Sequence, residues 1–376
     1  MKAFFVINSL AGGGAERVFT TLLAHSRETC REMECTVVLL DNEEHEAYAL
    51  PEWISVKRLD CGGGLVKSIR RLRKLIAAER PDITLSFLTR ANIAAVIACR
   101  RRDLPVVISE RVNTSAHLPS GLRSSLVKAL VRRFYRKADH VIATSRGVAE
   151  DLSRHFAVDA RKISVIANPV DAASIRELGT APDPVGADER DWATMGRLVE
   201  NKNAGLAIRA FAQSALPGRL IVLGTGPLEA DLRQLAADLG CAERIVFAGF
   251  QQNPYATIAR VRGYVLPSNA EGFPNAMCEA MALGVPVVAT DCPSGPSEIL
   301  ATELSGKAPA EGLGGILVPM NSPAAMVEAM QLASTPEKRQ TLSEKATRRI
   351  DEFSIARAVD SFWDVLFGAL ARRSEA

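Results

Sequence analysis

Short apolar runs alternate with helix-patterned runs from one end of this chain to the other, and that rhythm limits the fold more than any other feature. In the first half the apolar runs are Ala3–Ile7, Cys35–Leu40, Ser55–Leu59, Ile83–Phe87, Val106–Ser109, His140–Thr144 and Ile163–Ile166. Near-continuous apolar runs of this length suit strands buried on both faces, as in a parallel sheet covered by helices. Helical spacing fills the gaps, near Ala15–Glu28, Leu65–Glu79, Asn92–Arg100, Gly121–Arg136 and Arg146–His155. The rhythm breaks at Asn168-Pro169-Val170-Asp171 and again in the Pro- and Gly-rich stretch Gly179–Gly186. It restarts at Trp192–Met195 and continues through Leu220–Leu223, Ile245–Ala248, Gly263–Leu266, Val287–Ala289 and Ile316–Val318. The expected class is therefore α/β in two halves: a first domain over 1–170, a linker over 171–190, a second domain over 191–354 and a final helix over 355–376.

Composition agrees with two cores built mainly from aliphatic side chains. Of 376 residues, 47% are hydrophobic but only 5% aromatic. The seven cysteines are scattered without a C-x-x-C pair and read as reduced thiols of a cytosolic protein. The apolar start Ala3–Ile7 stops too soon for a signal peptide, and no apolar stretch approaches the roughly 20 residues that span a bilayer. Net charge is +3, yet residues 57–137 carry 19 Lys/Arg against 5 Asp/Glu, so the rest of the chain holds an excess of 11 negative charges. Such a lopsided distribution favours an anionic partner for the first half.

Three loops carry chemistry. Gly12-Gly13-Gly14-Ala15-Glu16 follows the first strand and opens a helix, where glycine amides and the helix field favour phosphate. The dinucleotide pattern fails at Arg17, so a glycine turn without a ligand is also open. Gly196-Arg197-Leu198-Val199-Glu200-Asn201-Lys202 follows the first strand of the second half. Arg197 and Lys202 there are able to bracket a diphosphate, the one as a fork and the other as a point charge. A solvated loop with two unrelated cations accounts for the segment as well. Glu271-Gly272-Phe273-Pro274-Asn275-Ala276-Met277-Cys278-Glu279 runs from a loop into a helix, with Pro274 suited to the first helical position. Glu271 lies before the helix and Glu279 in its second turn, where a carboxylate can hold two adjacent hydroxyls. The amides of Phe273, Asn275 and Ala276 are available to an anion or hydroxyl. A fourth segment, Thr290–Glu298, reads as a rigid loop with Glu298 as a helix cap.

No D-x-D triplet, histidine ligand spacing, zinc pattern or G-x-S-x-G elbow occurs, so neither a metal site nor a serine hydrolase is expected.

Taken in order, these segments resemble the retaining glycosyltransferases of family 4. The most specific element is the E-x7-E arrangement of Glu271 and Glu279 within Ser268–Met281, followed by Gly284–Asp291. Gly12–Glu16, Gly196–Leu198, Gly224–Pro227 and Gly315–Pro319 stand in the family's order. The resemblance implies the GT-B fold, two Rossmann-like domains facing across a cleft with the C-terminal helix crossing back to the first. It implies that Gly13 and Gly14 offer amides to the distal phosphate, that Arg197 and Lys202 neutralise the diphosphate, and that Glu279 holds the ribose. Glu271 would hold the donor sugar with the amides that follow it, and the backbone around Phe250 would face the base. The commoner His-Asp pattern of the first domain is replaced by Ser109-Glu110-Arg111-Val112-Asn113, so no catalytic base is assigned; Glu110, Arg111 and Asn113 are candidates for acceptor contacts.

The expected activity is metal- and cofactor-independent transfer of a hexose or N-acetylhexosamine, with retention, from a UDP-sugar to a lipid-linked or polysaccharide acceptor. The setting implied is bacterial surface-glycan assembly. A UDP-sugar 2-epimerase on the same fold is the alternative. The basic helices around Leu65–Ile76 and Leu122–Lys137 suggest a cytoplasmic protein held peripherally on the inner face of an anionic membrane. No nucleic-acid partner is expected, because interleaved aromatics and a binding module are missing.

Overall fold

The computed structural model describes residues 1–43, 46–118 and 121–374, and the chain divides into two compact units. The first comprises Met1–Pro169 together with Ile355–Ala376, the second Val170–Ser354.

Seven strands form the sheet of the first unit: β1 (Lys2–Ile7), β2 (Glu34–Leu39), β3 (Ser55–Arg58), β4 (Ile83–Phe87), β5 (Val106–Glu110), β6 (His140–Ala143) and β7 (Ile163–Val165). They are all parallel, in the order β3-β2-β1-β4-β5-β6-β7. The helices are α1 (Gly14–Ala24), α2 (Leu65–Glu79), α3 (Thr89–Arg100), α4 (Thr114–His117), α5 (Leu122–Phe134) and α6 (Arg146–Phe156). Alternate side chains of each strand enter opposite cores. Ala3, Phe5 and Ile7 of β1 pack with α1 on one face, while Phe4 and Val6 pack with α2, α3 and α6 on the other.

The second unit has the same plan. Its helices are α7 (Ala172–Gly179), α8 (Ala204–Gln213), α9 (Glu229–Asp238), α10 (Tyr255–Ile258), α11 (Asn275–Ala282), α12 (Pro296–Leu300), α13 (Pro323–Ala333) and α14 (Pro336–Ile350). Its strands are β8 (Trp192–Met195), β9 (Leu220–Leu223), β10 (Ile245–Gly249), β11 (Gly263–Leu266), β12 (Val287–Thr290), β13 (Ala310–Glu311) and β14 (Gly315–Val318). The order is β10-β9-β8-β11-β12-β14-β13, parallel except for the short antiparallel edge strand β13.

The final helix, α15 (Ile355–Ser374), belongs to the first unit; the last two residues of the expected helix lie outside the described residues. It covers the part of the sheet that α1 leaves open. Phe362 stacks on Phe87 with ring centres 5.9 Å apart, and Trp363 meets Phe5 edge-on at 5.8 Å. The Trp363 indole donates to Ser26 Oγ at 2.8 Å.

The expected linker over 171–190 is corrected. Helix α7 occupies its first half and packs on α10 and α11, with Arg176 donating to the carbonyl of Ala282 at 2.9 Å. Gly179 is there for close packing rather than for flexibility, since an added Cβ would stand 2.7 Å from Leu283 Cδ2. Asp183 then accepts from Thr257 Oγ1 at 2.5 Å and from the amide of Val185 at 3.0 Å, which ties the Pro-rich stretch down.

Candidate active site

In each sheet the strand order reverses beside the first strand, between β1 and β4 and between β8 and β11. Loops leaving the carboxyl ends of such a strand pair diverge and leave room for a ligand. The segments beginning at Gly12, Gly196 and Glu271 follow three of these strands, β1, β8 and β11.

In the second unit the loop after β8 is shaped by backbone packing. Gly224 has φ +121°, and a Cβ there or on Gly226 would run into the carbonyls of Gly196 and Leu198. The amide of Leu198 donates to Thr225 O at 2.9 Å. The chain then makes a tight 3-10 turn over Glu200–Lys202 that lays the Lys202 side chain across Gly196. Lys202 Nζ reaches Glu271 Oε1 at 2.5 Å, and Ser268 Oγ donates to the same oxygen at 2.6 Å. The two loops are also joined through Asn201, which gives Nδ2 to Ala270 O at 3.0 Å and accepts the amide of Asn269 at 2.9 Å. Glu271 is buried, at 9% exposure, while the side chain of Lys202 is 33% exposed, so the pair presents its cation to solvent. Arg197 is exposed and pairs with no carboxylate among the described residues.

Glu279 lies in the second turn of α11 and is buried. Burial, with added repulsion from Glu279 and then Glu271, pushes the Tyr264 phenol far above its ordinary range. Tyr264 in turn bonds both the amide and the carbonyl of Met195, at 3.1 and 3.2 Å, and so fixes the end of β8. Glu271 in the loop after β11 and Glu279 in the helix that follows belong to the segment leaving the β8–β11 edge, which also carries Lys202.

The loop Thr290–Glu298 buttresses this edge. Gly295 has φ +102°, and a Cβ there would stand 2.5 Å from Pro274 Cδ. Pro293 O accepts the amide of Glu271 at 3.4 Å. Glu298 lies in the first turn of the short helix α12, whose N-cap is Gly295. Pro274 precedes α11 rather than opening it. The three amides expected there are not equivalent, because that of Asn275 donates to Phe273 O at 3.0 Å while Ala276 stands in the first turn of the helix. The Phe273 side chain is buried edge-on against Phe353, with ring centres 5.5 Å apart. Phe250 follows β10 and is 78% exposed.

In the first unit Gly13 precedes α1 and Gly14 begins it. The Glu16 carboxylate folds back over Gly13, a favourable position for a negative charge at a helix start. The Tyr48 hydroxyl donates to Gly13 O at 3.2 Å.

All three acceptor candidates make internal contacts. Glu110 is 1% exposed; its carboxylate accepts from Tyr135 OH at 2.5 Å and from the amides of Arg111 and Val112 at 2.9 and 3.4 Å. Burial raises its pKa against the lowering effect of these donors. Asn113 caps α4, accepting the amide of Ala116 at 3.1 Å. Arg111 lies over the Phe87 ring at 5.1 Å and donates to Ser109 Oγ at 3.1 Å and to Asn168 Oδ1. Among the described residues no group of three or more His, Cys, Asp or Glu could hold a metal ion.

Two family models match, "Glycosyltransferase Family 4" over residues 12–174 and "Glycosyl transferases group 1" over 189–334. The chain is 28% identical, over 95% of its length and 97% of the relative's, to the Campylobacter jejuni N-acetylgalactosamine-N,N'-diacetylbacillosaminyl-diphospho-undecaprenol 4-alpha-N-acetylgalactosaminyltransferase. It is 23% identical to the lipopolysaccharide 1,6-galactosyltransferase of Escherichia coli, over 99% of this chain and 100% of that one. Among solved structures, Anabaena HepE in complex with UDP-glucose superposes with a TM-score of 0.76 at 21% identity, covering 98% of this chain and 100% of that one. Two Rossmann-like units in the GT-B manner, each matched by its own model, and relatives of full length with one kind of activity place the chain among the glycosyltransferases of family 4 type.

Proposed function

We propose that the protein moves a hexose or N-acetylhexosamine from a UDP-sugar to a lipid-linked or polysaccharide acceptor, with retention and without a metal. The observation that carries this reading is the Lys202–Glu271 pair at the β8–β11 edge, with Arg197 exposed on the same loop as Lys202 and Glu279 buried in the helix that follows Glu271. Lys202 and Arg197 are placed to neutralise the charge that builds on a departing diphosphate, and stabilising such charge is the main protein contribution to a transfer of this kind. Glu271 orients Lys202 and keeps a second oxygen for a sugar hydroxyl, while Glu279 is suited to the ribose. UDP as donor is supported by the UDP-glucose complex of HepE, and a lipid-linked acceptor by the printed activity of the Campylobacter relative. Incubation with UDP-N-acetylhexosamines and UDP-hexoses, with and without a polyprenyl-diphosphate saccharide, tests the reading. The expected result is UDP release that requires acceptor, a product with the donor's anomeric configuration, and no loss on adding EDTA. Conversion of the nucleotide sugar itself in the absence of acceptor would instead identify a 2-epimerase.

Association with an anionic membrane surface belongs to the same proposal. Helices α2 and α5 flank α3 on one side of the first sheet. The outward side of α5 carries Leu122 and Leu126, 94% and 62% exposed, followed by exposed Arg132, Arg133 and Arg136. Val66 is 62% exposed on α2 amid Lys67, Arg70 and Arg71. Exposed leucines ringed by cations suit a leaflet boundary, where each Lys or Arg contributes about 1 kcal/mol. Leu122→Asp with Leu126→Asp should weaken sedimentation with phosphatidylglycerol vesicles about tenfold or more and leave soluble-substrate turnover unchanged. Equal binding to neutral vesicles at high salt would refute this surface.

A further inference from the structure

The carboxyl edge of the first unit's sheet carries a buried cation without an ion-pair partner among the described residues. Arg111 is 7% exposed and donates only to neutral oxygens, Ser109 Oγ and Asn168 Oδ1, and its Nε has no partner. The nearest opposing charge is that of the preceding residue, Glu110, whose carboxylate already serves three donors. Successive residues of a strand point to opposite faces. Glu110 accordingly meets Tyr135, which packs with the α3 and α5 core, while Arg111 meets Phe87 on the other side. Burial pulls the Arg111 guanidinium down to about 9, the mark of a charge that the protein itself does not compensate fully.

Two further orphan groups stand at this edge. Thr144 follows β6, and since Glu110 pairs with Ala143 in the register, it lies beside Arg111. Its hydroxyl and that of Thr114 are buried, at 1% exposure each, and neither has a hydrogen-bond partner. Buried polar atoms are almost always paired, with protein, water or ligand, so three orphans on neighbouring segments are open to an external group. A planar fork of donors with two hydroxyls matches a tetrahedral oxyanion.

We propose that Arg111, Thr114 and Thr144 form a subsite for a phosphate group, and that Glu110 and Tyr135 are positioning residues that hold Arg111 in place. The chain of bonds behind Arg111 is continuous. Ser86 Oγ donates to Asn92 Oδ1 at 2.8 Å, and Asn92 donates to Tyr135 OH at 3.0 Å and to Ser109 O at 2.9 Å. Tyr135 then donates to Glu110, and Glu110 fixes the amides of Arg111 and Val112. The subsite stands without the transfer reading; only the identity of the phosphate-bearing molecule, donor or acceptor, rests on it.

Calorimetric titration of inorganic pyrophosphate into the full-length protein tests the subsite, on a Lys202→Ala background that weakens the phosphate contacts proposed for the second unit. Arg111→Gln should lower the affinity at least tenfold, and Tyr135→Phe should lower it a few-fold. Thr144→Val replaces an orphan hydroxyl by a methyl of the same shape, so it should lower the affinity a few-fold while the melting temperature holds or rises. A purely structural role for Thr144 would not separate the two readouts. Pyrophosphate affinity unchanged in both Arg111→Gln and Thr144→Val would overturn the subsite. Repeating the titration with UDP and with farnesyl diphosphate in detergent separates the sources. Loss for UDP alone assigns the donor phosphate, loss for farnesyl diphosphate alone assigns an acceptor phosphate, and loss for neither again overturns the subsite. If acceptor-dependent transfer fails while pyrophosphate still binds through Arg111, the transfer reading falls and the subsite remains.

Discussion

Lys202→Ala should lower the turnover of the nucleotide-sugar donor about 10²- to 10³-fold, the usual effect of removing one preorganised group that stabilises developing charge. Stability should fall only modestly. The Lys202 side chain is 33% exposed, and Glu271 retains the Ser268 hydroxyl at 2.6 Å when the cation is gone. Glu271 is itself buried, so leaving its carboxylate with one donor fewer should cost about 1–3 kcal/mol. Lys202→Arg should recover part of the activity, since it restores the charge but spreads it over a longer, planar fork. The decisive contrast is between rate and melting temperature. A variant that melts several degrees lower and keeps most of its activity would show that Lys202 is a strut between the β8 and β11 loops and not a ligand for the leaving group.

Those two loops were legible in the sequence because their pattern is local. A glycine after a strand, a cation six residues on, and a carboxylate before and within one helix can be seen along a single stretch of chain. The fold was legible for a similar reason, as strands buried on both faces leave apolar runs that need no partner to be recognised. What escaped depends on distant contacts. Glu110 and Arg111 look alike as neighbouring charges in Ser109–Asn113, and only the phenol of Tyr135 and the ring of Phe87 decide which one turns to which core. The proline and glycine content of 171–190 suggested a linker, but Gly179 is small so that α7 can lie against Leu283. The cap formed by Asn113 was within reach of sequence reasoning, because asparagine directly before a short helical run is a standard start signal. The support that Gly295 gives to Pro274 was not, because it depends on the approach of one loop to another.

The largest expected effect on stability is that of Trp363→Ala in the C-terminal helix, a loss of about 3–5 kcal/mol from the first unit. Trp363 is 2% exposed and packs edge-on against Phe5 of β1, and its indole N–H is spent on Ser26 Oγ at the end of α1. One substitution therefore opens a cavity under the sheet and removes a buried hydrogen bond. Around it Ala358, Val359, Phe362, Leu366 and Ala369 line the same side of α15, so the first unit's core is completed by residues that follow the whole second unit, Val170–Ser354, in the chain. Trp363→Phe keeps most of the bulk and should cost much less, with about 1 kcal/mol of the loss due to the hydrogen bond. Hydrogen exchange reads the effect where it arises. In Trp363→Ala, protection should fall in β1, β4 and β5, while β8, β9, β11 and β12 exchange as before. Equal loss of protection in both sets of strands would mean that the two units open as a single cooperative body, and that α15 does not belong to the first unit's core alone.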